Sequence, residues 1–177
     1  MILALDAKLF FFLNKACANP VFDFLMPLIT WLGDGDFVLA LAVLMVLIAF
    51  VTRKIRKMPG ILLLAGLAIS HFVVYYFKQF FSRPRPFVTL ENVRVLVAGL
   101  DKNHSFPSGH ATLAFIAAVI FASYFKRGYL FFLAAIAVCF SRVYVGAHYV
   151  SDVIAGAILG AAIGYALVYI AKKLRRE

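Results

Sequence analysis

Residues 150–171 read VSDVIAGAILGAAIGYALVYIA. Asp152, near the start, is their one charged residue, and Lys172, Lys173, Arg175 and Arg176 close the run. A helix rises about 1.5 Å per residue, so a run of this length crosses the roughly 30 Å hydrocarbon core of a bilayer. The composition agrees with that reading. The chain is 64% hydrophobic with a mean hydropathy of +0.95, whereas soluble domains run about 45–50% apolar. A soluble fold has nowhere to put so much apolar surface. The 177 residues suit one domain. We therefore expect residues 1–177 to form a single integral membrane domain, all-α, a polytopic transmembrane helical bundle.

Four further long apolar runs precede this one: Phe37–Thr52, Ile61–Phe81, Ala111–Phe125 and Tyr129–Arg142. Some are shorter than the roughly 20 residues of a perpendicular span, so flanking residues must complete them or the bilayer must thin. Val21–Leu32 is shorter still and contains Asp23. It reads either as a short first span, giving six in all rather than five, or as half of a helical hairpin with the N-terminal segment. Residues 3–17 read as an amphipathic interfacial helix, with Asp6, Lys8 and Lys15 toward the headgroups. A signal peptide does not fit, because the start lacks basic residues and the apolar core Leu9–Leu13 is too short. Cys17 and Cys139, the only cysteines, offer neither a disulfide framework nor a zinc site.

The net charge of +10 would suggest nucleic acid in a soluble chain. Here the basic residues cluster at the ends of apolar runs, which marks membrane orientation instead. The clusters are Arg53, Lys54, Arg56 and Lys57; Lys126 and Arg127; and Lys172, Lys173, Arg175 and Arg176. If the runs alternate in direction, all three clusters fall on one side, which the positive-inside rule makes cytoplasmic. The opposite side then gathers the Asp34–Asp36 turn, the loop from Ser82 to His110, and the stretch from Arg142 to Asp152.

That outer side carries a polar set from three separate segments. KQFFSRPRP supplies Lys78 and Arg85; SFPSGHA supplies Ser108, Gly109 and His110; SRVYVGAHYVSD supplies Arg142, His148 and Asp152. Guanidiniums grip phosphate through paired donors, and Lys adds a point charge. Ser108 adds a hydroxyl donor, Gly109 permits close backbone approach, and the N–H groups of a following helix start face an anion. His148 and Asp152 sit at i, i+4 and share a helix face. A carboxylate on one imidazole nitrogen leaves the other free to attack. His110 can serve as a proton donor. Together these groups suffice for phosphoryl transfer through a histidine nucleophile.

Lys78-(six residues)-Arg85-Pro86, then Pro107-Ser108-Gly109-His110, then Ser141-Arg142-(five residues)-His148-(three residues)-Asp152 resembles the three-part signature of the type 2 phosphatidic acid phosphatase family, which vanadium haloperoxidases share. Every position of the pattern is filled. The resemblance implies that His148 is the nucleophile, that Asp152 orients it, and that His110 protonates the leaving oxygen. It implies that Lys78, Arg85, Ser108, Gly109 and Arg142 bind the phosphate. It implies no cofactor and no metal. The expected partners are a membrane lipid substrate, water and the bilayer, with no nucleic acid, and a single chain is expected to suffice. In general look the chain is similar to short bacterial members that act on the 1-phosphate of lipid A, on phosphatidylglycerophosphate or on undecaprenyl pyrophosphate. The three boxes do not separate these.

Blander readings stand beside this one. Lys78 and Arg85 taken singly read as snorkelling interfacial anchors, and Asp152 alone reads as a helix-start carboxylate. Arg83, Arg94 and Lys102 are extra outer cations, either solvated or gripping a polyanionic headgroup, which tilts the substrate slightly toward lipid A. His71 reads as a hydrogen-bonded intramembrane histidine, His104 as a solvated loop residue, and the Asp34/Asp36 loop as a plain turn. Gly156, Gly160 and Gly164 continue the row of His148 and Asp152, so that small-residue stripe is expected to face the bundle interior rather than a second chain. The competing functional classes are an anionic-solute transporter and a non-catalytic membrane assembly protein.

Overall fold

The computed structural model describes residues 2–52, 57–100 and 104–175, and every regular element among them is helical. The helices are α1 (Ile2–Phe11), α2 (Pro20–Thr30), α3 (Gly35–Thr52), α4 (Met58–Phe81), α5 (Pro86–Thr89), α6 (Gly109–Tyr124), α7 (Tyr129–Tyr144) and α8 (Val150–Leu174). A π-helical turn, Phe12–Ala16, prolongs α1, and a 3₁₀ turn, Trp31–Gly33, prolongs α2. The five long apolar runs become α3, α4, α6, α7 and α8. Of the basic clusters, Arg53, Lys54, Arg56 and Arg176 lie outside the described residues, as does Lys102.

α6 is the central post, packed against α4, α7 and α8, with α3 laid outside α4 and α2 against α7. Its buried residues, from Ala111 through Ile120, point to every side. The outer helices turn large apolar side chains outward: Phe50 is 81% and Phe80 83% exposed, and Ile158 67%. Soluble monomers do not present such a surface, whereas lipid chains solvate it. α3, α8 and the stretch beginning with α4 are long and apolar enough to cross a membrane. α6 and α7, 16 residues each, reach only about 24 Å at 1.5 Å per residue.

The glycine stripe faces inward as expected. A Cβ on Gly156 would lie 2.5 Å from the Ser108 carbonyl oxygen, on Gly160 2.2 Å from that of Thr112, and on Gly164 2.9 Å from Val119 Cβ. Backbone therefore rides on backbone along the α6–α8 seam, which brings the second and third boxes together.

The N-terminal segment departs from expectation at Asp6. It is helical, but bends by 117° into the α2 stretch, the two halves meeting as a broken span or re-entrant pair. Asp6, expected among the headgroups, is only 5% exposed and turned inward. The cause is a half-buried cation, Arg83, and the N–H of Ser151 at the start of α8; the Asp6 carboxylate accepts from both. Asn14 is also fully buried, donating to the carbonyls of Arg94 and Tyr144 and accepting from the Arg94 N–H.

Candidate active site

α4 carries Lys78 in its last turn and ends at Ser82, which takes a left-handed conformation (φ 45°). The chain then runs extended to Arg85, where Pro86 starts α5. Two hydrogen bonds latch this segment to the second box: Ser105 N–H to the Arg83 carbonyl (2.7 Å) and Ser105 Oγ to the Pro84 carbonyl (3.2 Å). Arg85 is 5% exposed. Its Nη1 donates to the Ala147 carbonyl at 3.1 Å and lies 3.2 Å from His148 Nε2.

Ser108 caps α6, its hydroxyl accepting from the Ala111 N–H, while its own N–H donates to the Asp152 carbonyl at 3.0 Å. Among the described residues, a Cβ placed on Gly109 would meet nothing nearer than Val74 at 3.9 Å. Packing does not demand that glycine; the space beside it belongs to a cavity.

The third box turns tightly between α7 and α8. Gly146 adopts φ 86°, and a Cβ there would fall 2.5 Å from the Arg94 carbonyl, so only glycine fits. Arg142, in the last turn of α7, is buried; Nη1 donates to Thr30 Oγ1 at 2.9 Å, and Nε has no hydrogen-bond partner among the described residues. His148 is 2% exposed and Asp152 wholly buried. Asp152 Oδ2 accepts from the Tyr149 N–H at 2.9 Å, completing a capping box, and stands 3.6 Å from His148 Nδ1. A guanidinium can only donate, so Arg85 marks Nε2 as the lone-pair nitrogen and puts the neutral ring's proton on Nδ1, facing Asp152. Burial, reinforced by the charges of Arg142, Arg85 and Lys78, holds the His148 pKa well below 6.5, so the ring is neutral near pH 7. A neutral imidazole with one nitrogen toward a carboxylate and the other toward cations has the chemistry of a nucleophile toward an anion.

Arg83 and Arg94, read from the sequence as candidates for headgroup binding, are drawn inward. Arg83 Nη1 donates to Asp152 Oδ1 and Ser151 Oγ, both at 2.6 Å, and Nη2 to Asp6 Oδ2 at 2.7 Å. The guanidinium lies 4.0 Å from the Tyr149 ring centroid. Arg94 Nη2 takes both Asp23 carboxylate oxygens, at 2.8 and 2.7 Å, and Nη1 donates to the Asn14 carbonyl. Buried or half-buried carboxylates nearby claim each cation more firmly than water would. Asp6, Thr30 and Ser105 thus join the site's support without any advance signal. Each meets its partner across a long sequence separation, so no local spacing betrays it. Asp34 lies 3.7 Å from His110 Nε2, through Oδ2.

A cavity of about 280 Å³ opens beside the boxes, with Lys78, Gln79, His104 and Gly109 at its polar end and Leu67, Val74 and Leu113 below. A second cavity, lined by Leu39, Leu64, Ala68 and Phe72, shares Gly35, Leu67 and His71 with it. The two cavities therefore adjoin between α3 and α4. His71 borders both.

Buried Arg85, Arg142, His148 and Asp152 converge inside an apolar helical bundle, the arrangement of a membrane-embedded enzyme. Residues 59–176 match the PAP2 superfamily model, and the chain belongs to that family. The undecaprenyl-diphosphatase BcrC of Bacillus subtilis is 31% identical over 149 residues, covering 83% of this chain and 74% of that one. The crystal structure of Aquifex aeolicus LpxE superposes with a TM-score of 0.75 at 30% identity, covering 92% of this chain and 93% of that one. The crystal structure of a transmembrane PAP2 type phosphatidylglycerolphosphate phosphatase from Bacillus subtilis gives 0.81 at 26% identity, covering 97% and 87%. Several other curated relatives are matched over only about half of their length.

Proposed function

We propose that the chain hydrolyses a lipid phosphate monoester or pyrophosphate through a phosphohistidine intermediate. The observation that carries this reading is His148: buried, neutral, its lone-pair nitrogen aimed at Arg85 and its protonated nitrogen at Asp152. Arriving phosphate draws Arg85 to its own oxygens and leaves the Nε2 lone pair free. Nε2 attacks phosphorus and the P–O bond to the lipid breaks. His110 gives its proton to the departing oxygen. Water then attacks the phosphohistidine, His110 takes up the water's proton, and inorganic phosphate leaves with His148 restored. Arg142, whose buried Nε lacks a partner among the described residues, together with Arg85, Lys78, Ser108 and the N–H groups at the start of α6, stabilises the charge that spreads over the phosphoryl oxygens.

The adjoining cavities support a lipid substrate, with a polar mouth at the boxes and apolar walls running down α4 into the membrane. The basic clusters support an active site facing the periplasmic or extracellular side of the cytoplasmic membrane. Lipid A 1-phosphate, phosphatidylglycerophosphate and undecaprenyl pyrophosphate all suit this site. With Arg83 and Arg94 engaged by internal carboxylates, the tilt toward a polyanionic headgroup loses most of its basis.

The test is phosphate release from these three lipids in detergent, with a chelator present. Wild type is expected to be active, His148→Ala inactive, and vanadate inhibitory as a mimic of pentacoordinate phosphorus. Activity surviving in His148→Ala, or abolished by the chelator, overturns the mechanism. A transporter or an assembly protein would release no phosphate.

A further inference from the structure

The two histidines of the site are held in matching ways. His148 faces Asp152 across 3.6 Å, and His110 faces Asp34 across 3.7 Å. The second pairing is not local: Asp34 sits in the turn between α2 and α3, whereas His110 begins α6. Two features hold it in place. Gly33 packs so closely on His110 that a Cβ there would lie 2.8 Å from the His110 carbonyl oxygen, which sets the Asp34 backbone beside the imidazole. The carboxylate is also divided in function. Oδ1 accepts the N–H groups of Asp36 (2.9 Å) and Phe37 (3.4 Å), pinning the side chain to the start of α3, and Oδ2 is left to face His110 Nε2.

We infer that Asp34 is the positioning residue for His110, fixing the orientation of its ring and supporting the proton it delivers to the leaving oxygen. The chemistry requires such a partner. A general acid must hold a proton while surrounded by the cations that bind phosphate, and a carboxylate against an imidazole favours its protonated form. Asp152 cannot serve, since it stands against His148 and is engaged by Arg83 and by the Tyr149 N–H. Asp34 also bears electrostatically on Arg142, so its loss has two separable consequences. Weaker phosphate binding through Arg142 affects all esters alike. Weaker proton delivery affects only those whose leaving group needs the proton.

This inference rests on the reading of His110 as the leaving-group acid, and the experiment separates the two. kcat/KM is measured for a series of phosphate monoesters whose leaving alcohols run from alkyl through fluoroalkyl to nitrophenyl. The proteins are wild type, Asp34→Asn, Asp34→Glu, Asp36→Asn and His110→Gln. Asn keeps an oxygen that caps α3, so Asp34→Asn removes the charge and spares the helix start. The expected result for Asp34→Asn is a loss of roughly 10- to 100-fold on alkyl esters, within the usual contribution of acid catalysis, and of less than about threefold on nitrophenyl esters. Asp34→Glu should recover part of the alkyl activity, and Asp36→Asn, at the wall of the second cavity, should leave the dependence on the leaving group as in wild type. An equal loss by Asp34→Asn on all esters, while His110→Gln shows the graded loss, overturns the role of Asp34. A flat profile for His110→Gln overturns the acid role of His110 and the inference with it.

Discussion

The α6–α8 seam makes a quantitative prediction. In Gly160→Ala the new Cβ would stand 2.2 Å from the Thr112 carbonyl oxygen, 2.9 Å from its carbon and 3.0 Å from Phe115 Cβ. A carbon rests against a carbonyl oxygen at about 3.3 Å or more, so α8 must withdraw by about 1 Å at this level. The obstacles are mostly backbone, which cannot swing aside as a side-chain tip would. Overpacking of this kind costs about 1–3 kcal/mol. The displacement also parts the two helices that carry the reacting groups, and a 1 Å misplacement costs about 100-fold in rate at worst. We expect Gly160→Ala to melt several degrees below wild type in detergent and to lose at least tenfold in phosphate release. Gly35→Ala, whose Cβ meets no described residue within 4 Å, should melt with wild type. The reasoning fails if Gly160→Ala retains both stability and activity. It fails equally if size-exclusion chromatography shows only the loss of a dimer, with stability and activity unchanged.

Asp6→Asn removes the charge that Arg83 and the Ser151 N–H share, and should cost about 1–3 kcal/mol. It should also lower kcat with little change in KM, since Arg83 holds Asp152 rather than substrate; a change in KM alone would contradict this. The neutral His148 predicts a pH effect of definite sign. As pH falls below 6.5 the unfolded chain protonates this histidine while the fold, which holds its pKa well below that value, does not. Stability present above 6.5 is therefore lost on acidification, by at most about 1.4 kcal/mol per pH unit. Melting of wild type should fall more steeply between pH 7.5 and 5.5 than that of His148→Gln, and parallel curves would refute it.

Much of this architecture was legible before any coordinates. Long apolar runs with basic ends locate α3, α4, α6, α7 and α8, because in lipid the backbone has few options besides helix. The boxes are legible because each keeps its reacting groups within a few residues. The pairings between elements were not. Asp6 looks like a headgroup residue until Arg83, far along the chain, comes to meet it. Asp34 looks like a turn because a carboxylate before an apolar run is also an ordinary helix cap, and here it is one. Arg83 and Arg94 look like spare cations because the carboxylates that engage them lie in segments with no signature of their own.

The linkage of Arg83 to Asp6 has a consequence for how the molecule could be recombined. None of the three boxes includes α1, α2 or α3, yet Asp6, Asn14, Asp23, Thr30 and Asp34 all reach from those segments to the boxes or to the loop and helix beside them. A chimera that exchanged residues 2–52 for those of a relative would keep every signature residue, yet would keep these links only where the relative supplies the same partners. The heritable unit of this chemistry is therefore larger than its motif, and α1 to α3 travel with the boxes or leave them unsupported.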